Sequence, residues 1–157
     1  MHLLDLLSPA RVRTDAMVSG KKRLLERLAA LLADGTGGEG EQAIFDTLCG
    51  RERLGSTGLG HGVAIPHARS ARAANAAGVF LRLAEPIDFG APDGEPVDLV
   101  FAVVVPEHFA QQHLLLLAQL AEMFGDAGFR DALRAAPDAA ALYALLSDWQ
   151  AAHPVAA

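Results

Sequence analysis

The sequence is short of positive charge, of cysteine and of long apolar runs. Of its 157 residues, 13 are Lys or Arg and 19 are Asp or Glu, a net charge of −6. A general nucleic-acid binder would show a basic surplus instead. The single cysteine, Cys49, closes no internal disulfide and builds no cysteine-rich zinc site, and it suits a reducing compartment. The longest apolar stretches, Leu99–Val105 and Leu114–Ala118, fall far short of the roughly 20 residues that cross a bilayer. Residues Met1–Ala10 lack a basic start and are interrupted by Asp5, which speaks against a secretory signal. The expectation is a cytoplasmic chain with no nucleic-acid partner and no membrane insertion.

Apolar residues are plentiful, at 52%, which excludes a disordered chain. The length suits a single domain over residues 1–157, able to bury roughly two-thirds of its unfolded surface. The charge is unevenly spread. Up to Arg72 there are ten Lys and Arg against eight Asp and Glu; beyond it there are three against eleven.

Leucines at helical spacing predict a helix over Ser19–Asp34, with Ser19 as its cap and Gly35 as its stop. Thr36–Gly40 reads as a connecting loop, and Glu41–Arg53 as a second helix with Ile44, Phe45 and Leu48 on one face and Cys49 as a small core residue. Strands are expected at Val63–Ile65, Gly78–Leu83 and Val97–Val105, with a turn-rich stretch over Pro86–Pro96. The run VDLVFAVVV is β-branched and almost wholly apolar, as in a central strand covered on both faces. Helices return over His113–Gly125, Ala127–Ala135 and Asp138–Trp149, the last capped by Asp138 and packed through Tyr143 and Trp149, with a frayed tail beyond. Strands framed by helices imply an α/β layered domain.

The stretch that carries chemistry is Arg51–Arg69, RERLGSTGLGHGVAIPHAR. Glycines free backbone N–H groups to turn toward an anion, hydroxyls at Ser56 and Thr57 can donate to it, and arginines add charge-assisted bonds. His67, fixed behind Pro66, is a nucleophile that works near neutral pH. The glycines fit no Walker A loop, because no Gly-Lys-Ser/Thr follows. Nor do they fit a dinucleotide fingerprint, because helix precedes and strand follows.

Written as RExLGSTGxGxGxAIPH, residues 51–67 resemble the phosphorylation-site signature of phosphotransferase-system (PTS) enzyme IIA domains of the mannitol/fructose/nitrogen-regulatory class. The segments PVDLVFAVVVP, the helix start around His113 and the ending PDAAALYALL are similar to that family as well. The resemblance implies a three-layer α/β/α sandwich with a mixed β-sheet, the PTS enzyme IIA type-2 fold. It implies that His67 accepts a phosphoryl group from a histidine phosphocarrier protein and that His113 lies beside it and stabilises the phosphoryl group. Arg51, Ser56 and Thr57 map to phosphate-binding positions, with no metal and no cofactor. A free-standing chain with a Ser19-Gly-Lys-Lys-Arg23 run opening its first helix resembles the nitrogen-regulatory branch, whose regulatory targets include potassium-transport and sensor-kinase proteins.

Plainer readings stand beside these. His113 could simply cap a helix, Arg51 could be a solvated helix-end residue, and Ser56 and Thr57 could serve only the glycine loop. Arg53, Arg69 and Arg72 are expected to form a basic rim that meets a partner. His2, His108 and His153 are expected to be exposed or structural. Three other functions remain open from sequence: a sugar-specific enzyme IIA that passes its phosphoryl group to a IIB domain, a metal hydrolase built from His61, His67, His108 and His113, and a binding module that has lost phosphotransfer.

Overall fold

The computed structural model describes residues 2–154. In chain order the elements are β1 (Val12–Ala16), α1 (Lys21–Thr36), α2 (Glu41–Arg53), β2 (Gly58–Gly60), β3 (Val63–Ala64), β4 (His67–Ser70), β5 (Ala77–Ile87), β6 (Val97–Pro106), α3 (Ala110–Phe124), α4 (Ala127–Ala135) and α5 (Ala139–Ala152). Two short 3-10 turns, Leu3–Asp5 and Pro9–Arg11, precede β1.

The strands form one mixed sheet in the order β1-β5-β6-β3-β2, and β4 also pairs with β6. Strand β6 is the axis. It runs antiparallel to β5 and parallel to both β3 and β4. Its alternation explains the layering. Val100, Ala102 and Val104 point into a core with Leu24, Leu28 and Leu32 of α1 and Ile44 and Leu48 of α2. Leu99, Phe101, Val103 and Val105 point into a second core with residues of α3, α4 and α5 and the amino-terminal turn. An apolar run with no polar alternation is what a strand covered on both faces requires. The result is the expected three-layer α/β/α arrangement around a mixed sheet.

Several boundaries differ from the sequence reading. Ser19 does not cap α1; Gly20 holds that position and no side chain bonds to it. Gly35 lies inside the helix, which ends at Thr36 with Gly37 in the left-handed region (φ 71°). A Cβ at Gly35 would sit 2.8 Å from that of Ala77, so this glycine allows α1 to approach β5. Strand β5 continues through Glu85 and Pro86 to Ile87, which pairs with Val97, because its long partner β6 offers a ladder past the irregularity after Arg82. Helix α3 starts at Ala110, three residues before His113. Cys49 is half-buried and packs against the first core from its edge. Helix α5 runs past Trp149 to Ala152, so the tail is helical at its start; the final residues, 155–157, lie outside the described part.

Strands β1, β2 and β4 have no counterpart in the sequence reading. β1 (VRTDA) has only Val12 and Ala16 buried, and β4 (HARS) is four residues long. Strand β4 matters most for the site, since its register sets His67 opposite Val103 on the central strand.

Candidate functional site

Pro66 restrains Ile65 to extended backbone. The Pro66 carbonyl accepts the Val103 N–H at 3.0 Å, which binds the turn into β4 against β6. His67 follows, half-buried. Its Nδ1 lies 2.7 Å from the Ile65 carbonyl oxygen. A carbonyl can only accept, so Nδ1 carries the proton and Nε2 keeps a free lone pair.

His113 comes from the first turn of α3, where its N–H bonds the Phe109 carbonyl at 2.8 Å. The His67 and His113 rings meet edge-on, with centroids 5.2 Å apart and planes at 65°. His113 is 7% exposed, and its Nδ1 is buried with no hydrogen-bond partner among the described residues. Such an orphaned polar atom is costly unless something satisfies it. Burial pushes the His113 imidazole down to about 4, helped by the charges of His67 and Arg69. Burial also lowers His67; the Ile65 bond opposes that, and Arg51 adds to the lowering. Both rings are therefore neutral near pH 7.

A cavity of about 600 Å³ opens over the two rings, with Arg51, Leu54, Arg69, Glu107 and Leu114 among its lining residues. Arg51, on the last turn of α2, anchors its Nη1 on the Gly55 carbonyl at 2.8 Å. The structure thus brings His67, His113 and Arg51 together. It places the two hydroxyls elsewhere. The Ser56 Oγ accepts the Gly58 N–H at 3.1 Å, and the Thr57 hydroxyl donates to the buried Glu52 carboxylate. Neither residue lines the cavity, so both serve the loop in this structure. Of the expected basic rim only Arg69 joins Arg51 here. Arg53 faces a separate hollow beside Cys49 and Lys21, and Arg72 is exposed beyond β4.

His61 and His108 are also elsewhere. His61 tips the turn between β2 and β3 at φ 57°, its N–H on Asp93 and its carbonyl on Arg134. His108 is exposed against Phe109. Among the described residues no three metal-capable side chains converge, so the four-histidine metal centre is not assembled. His153 stacks on Trp149, and His2 is exposed. Glu107, Leu54 and Leu114 were not singled out by sequence. Leu54 enters the sequence reading only as a fixed position of the signature, and nothing in the local pattern marks Glu107 or Leu114; the structure shows both leucines exposed at the cavity, at 85% and 69%.

Residues 5–149 match the family model for the phosphoenolpyruvate-dependent sugar phosphotransferase system, EIIA 2. The chain belongs to this family. Its relatives include a nitrogen regulatory protein of Pseudomonas aeruginosa, 44% identical over 150 residues, covering 96% of this chain and 97% of that protein. The crystal structure of nitrogen regulatory protein IIA-Ntr from Neisseria meningitidis superimposes with a TM-score of 0.86 at 41% identity, over 90% of this chain and 96% of that one. The mannitol IIA structure from Escherichia coli shares the fold alone, with a TM-score of 0.76 at 20% identity, over 89% of this chain and 98% of that one. The chain is thus an EIIA 2 phosphoryl-transfer component of the nitrogen-regulatory type. Among the described residues, no helix of this EIIA 2 chain is long and apolar enough to cross a membrane.

Proposed function

We propose that the protein accepts a phosphoryl group on Nε2 of His67 from a histidine phosphocarrier protein and signals through its phosphorylation state. The observation that carries this reading is the Nδ1 contact to the Ile65 carbonyl, which leaves Nε2 as the nucleophilic nitrogen of a ring that lines the cavity. The Nε2 lone pair forms the new N–P bond while the N–P bond to the donor histidine breaks and its electron pair returns to the donor ring. Like bonds form and break, so the transfer is close to balanced and reversible. It depends on in-line positioning and charge stabilisation more than on proton transfer.

Arg51 and Arg69 offset the phosphoryl charge, and His113 donates to or orients its oxygens. Ser56 and Thr57 support the phosphate through the loop they hold. The setting is the cytoplasm. The kinship with nitrogen regulatory proteins supports a regulatory output, with potassium-transport or sensor-kinase proteins as the class of target.

Incubation with phosphoenolpyruvate, enzyme I and a phosphocarrier should add one acid-labile phosphate per chain. Uptake of the same label by a His67→Ala variant would move the site elsewhere.

A further inference from the structure

The chemistry above uses Arg51 and His67 but leaves the acid between them in sequence without a task. Glu52 is buried, at 9% exposure, one residue from a cavity meant for an anion. Its carboxylate takes the Thr57 N–H at 3.1 Å on Oε1 and the Thr57 hydroxyl on Oε2. Lys21 of α1 places its Nζ 3.0 Å from Oε1. Lys21 is itself fixed over the Phe89 ring, 4.3 Å from the centroid.

These bonds continue toward the nucleophile. The Thr57 carbonyl accepts the Ile65 N–H at 3.1 Å, and the Ile65 carbonyl is the acceptor for His67 Nδ1 at 2.7 Å. An unbroken hydrogen-bonded series therefore runs from Lys21 and Glu52 through Thr57 and Ile65 to the His67 ring. Each bond in such a series restrains the next, and in a buried setting the restraint is strong. The lysine also neutralises the carboxylate, so no uncompensated negative charge lies behind the site where an anion must approach.

We propose that Glu52 is a positioning residue for phosphoryl transfer: by holding Thr57 it fixes the Ile65 carbonyl, which keeps His67 in the Nδ1–H form with Nε2 available. This inference rests on the phosphohistidine reading. It assigns the motif's acid to the orientation and tautomer of the histidine and gives Lys21 the task of balancing it. Functional groups held by a supporting set of hydrogen bonds keep the geometry that reaction needs.

The test uses full-length protein carrying Glu52→Ala, Glu52→Asp or Glu52→Gln. Two readouts are taken: the His67 ring ¹⁵N shifts of the unphosphorylated protein, and the rate of phosphate uptake from a phosphorylated phosphocarrier, resolved into kcat and KM. Glu52→Gln retains two hydrogen-bonding atoms for Thr57 and should keep the Nδ1–H form and most of the rate. Glu52→Asp keeps the charge but is one methylene too short to reach Thr57 from α2. It should populate the Nε2–H form and lower kcat roughly tenfold with KM unchanged. Glu52→Ala should do the same or more, and the Asp variant carries the test if Ala does not fold.

Wild-type protein that takes up no phosphate overturns the phosphohistidine reading, and the positioning role with it. Wild-type uptake, with a folded Asp variant unchanged in kcat and tautomer, overturns the positioning role alone. A loss confined to KM does so as well.

Discussion

Arg51 and Glu52 are neighbours on the last turn of α2, yet one lines the open cavity and the other is buried beneath the glycine loop. The helical step of about 100° between successive residues is enough to separate them. The same division runs through the whole signature. Its ends, Arg51 and His67, face the cavity, while Glu52, Ser56 and Thr57 between them satisfy one another and the backbone. A short chemical signature therefore holds two kinds of residue, those that meet the phosphoryl group and those that hold them in place. Substitutions in the first group should change activity with little change in stability, whereas those in the second should cost stability as well.

The sharpest separation is expected at His67. His67→Ala should abolish phosphate uptake completely while thermal unfolding stays close to that of the wild type, because the ring is half-buried and at the cavity edge. Arg51→Ala should lower the uptake rate roughly ten- to hundredfold, the scale for losing one group that stabilises developing charge. Its stability, read by urea denaturation, should change by only about 0.5 kcal/mol.

In the loop that holds the site, stability should suffer too. Gly62, in the turn before β3, has φ 80°, and an added Cβ would strike the Arg134 guanidinium, which is bonded to Asp98 and the His61 carbonyl. Gly62→Ala should therefore cost about 1–3 kcal/mol of stability in the same denaturation experiment. Thr57→Val removes the hydroxyl from the Glu52 carboxylate and leaves the backbone bonds in place. It should cost about 1–2 kcal/mol, with a smaller fall in uptake rate than Arg51→Ala.

The last expected effect needs no substitution and is a pH dependence. The folded protein holds His113 at about 4, whereas an unfolded histidine titrates near about 6.5. Between these values the unfolded chain binds a proton that the folded chain refuses, so stability falls as pH drops from about 6.5 to about 4. The lowered His67 works in the same direction. Unfolding midpoints at pH 7, 5.5 and 4 should show this slope, and His113→Gln should flatten it.

The sequence made the layered α/β architecture legible because its strongest signals are periodic. The apolar run of β6 and the leucine spacing of α1 each have only one economical burial. The chemical signature was legible for a different reason, its length. What escaped were features decided by tertiary partners. β1 and β4 are too short and too weakly apolar to register, yet pairing with β5 and β6 makes them strands. Gly35 reads as a helix stop by residue type, but its neighbour Ala77 is 42 positions away in the chain and invisible from local pattern. Ser56 and Thr57 have the right chemistry for a phosphate, and only the fold shows that Gly58 and Glu52 already engage them. The charge asymmetry was half informative: of the arginines near His67 in sequence, Arg51 and Arg69 line its cavity and Arg53 and Arg72 do not.

The most direct test is a long-range ¹H–¹⁵N spectrum of the phosphorylated protein with ¹⁵N-labelled histidine. A phosphorus coupling at Nε2 of His67, with Nδ1 still carrying its proton, is the expected result. Phosphorus on Nδ1 of His67, or on His113, would contradict the assignment of the Ile65 carbonyl as the group that selects the reacting nitrogen.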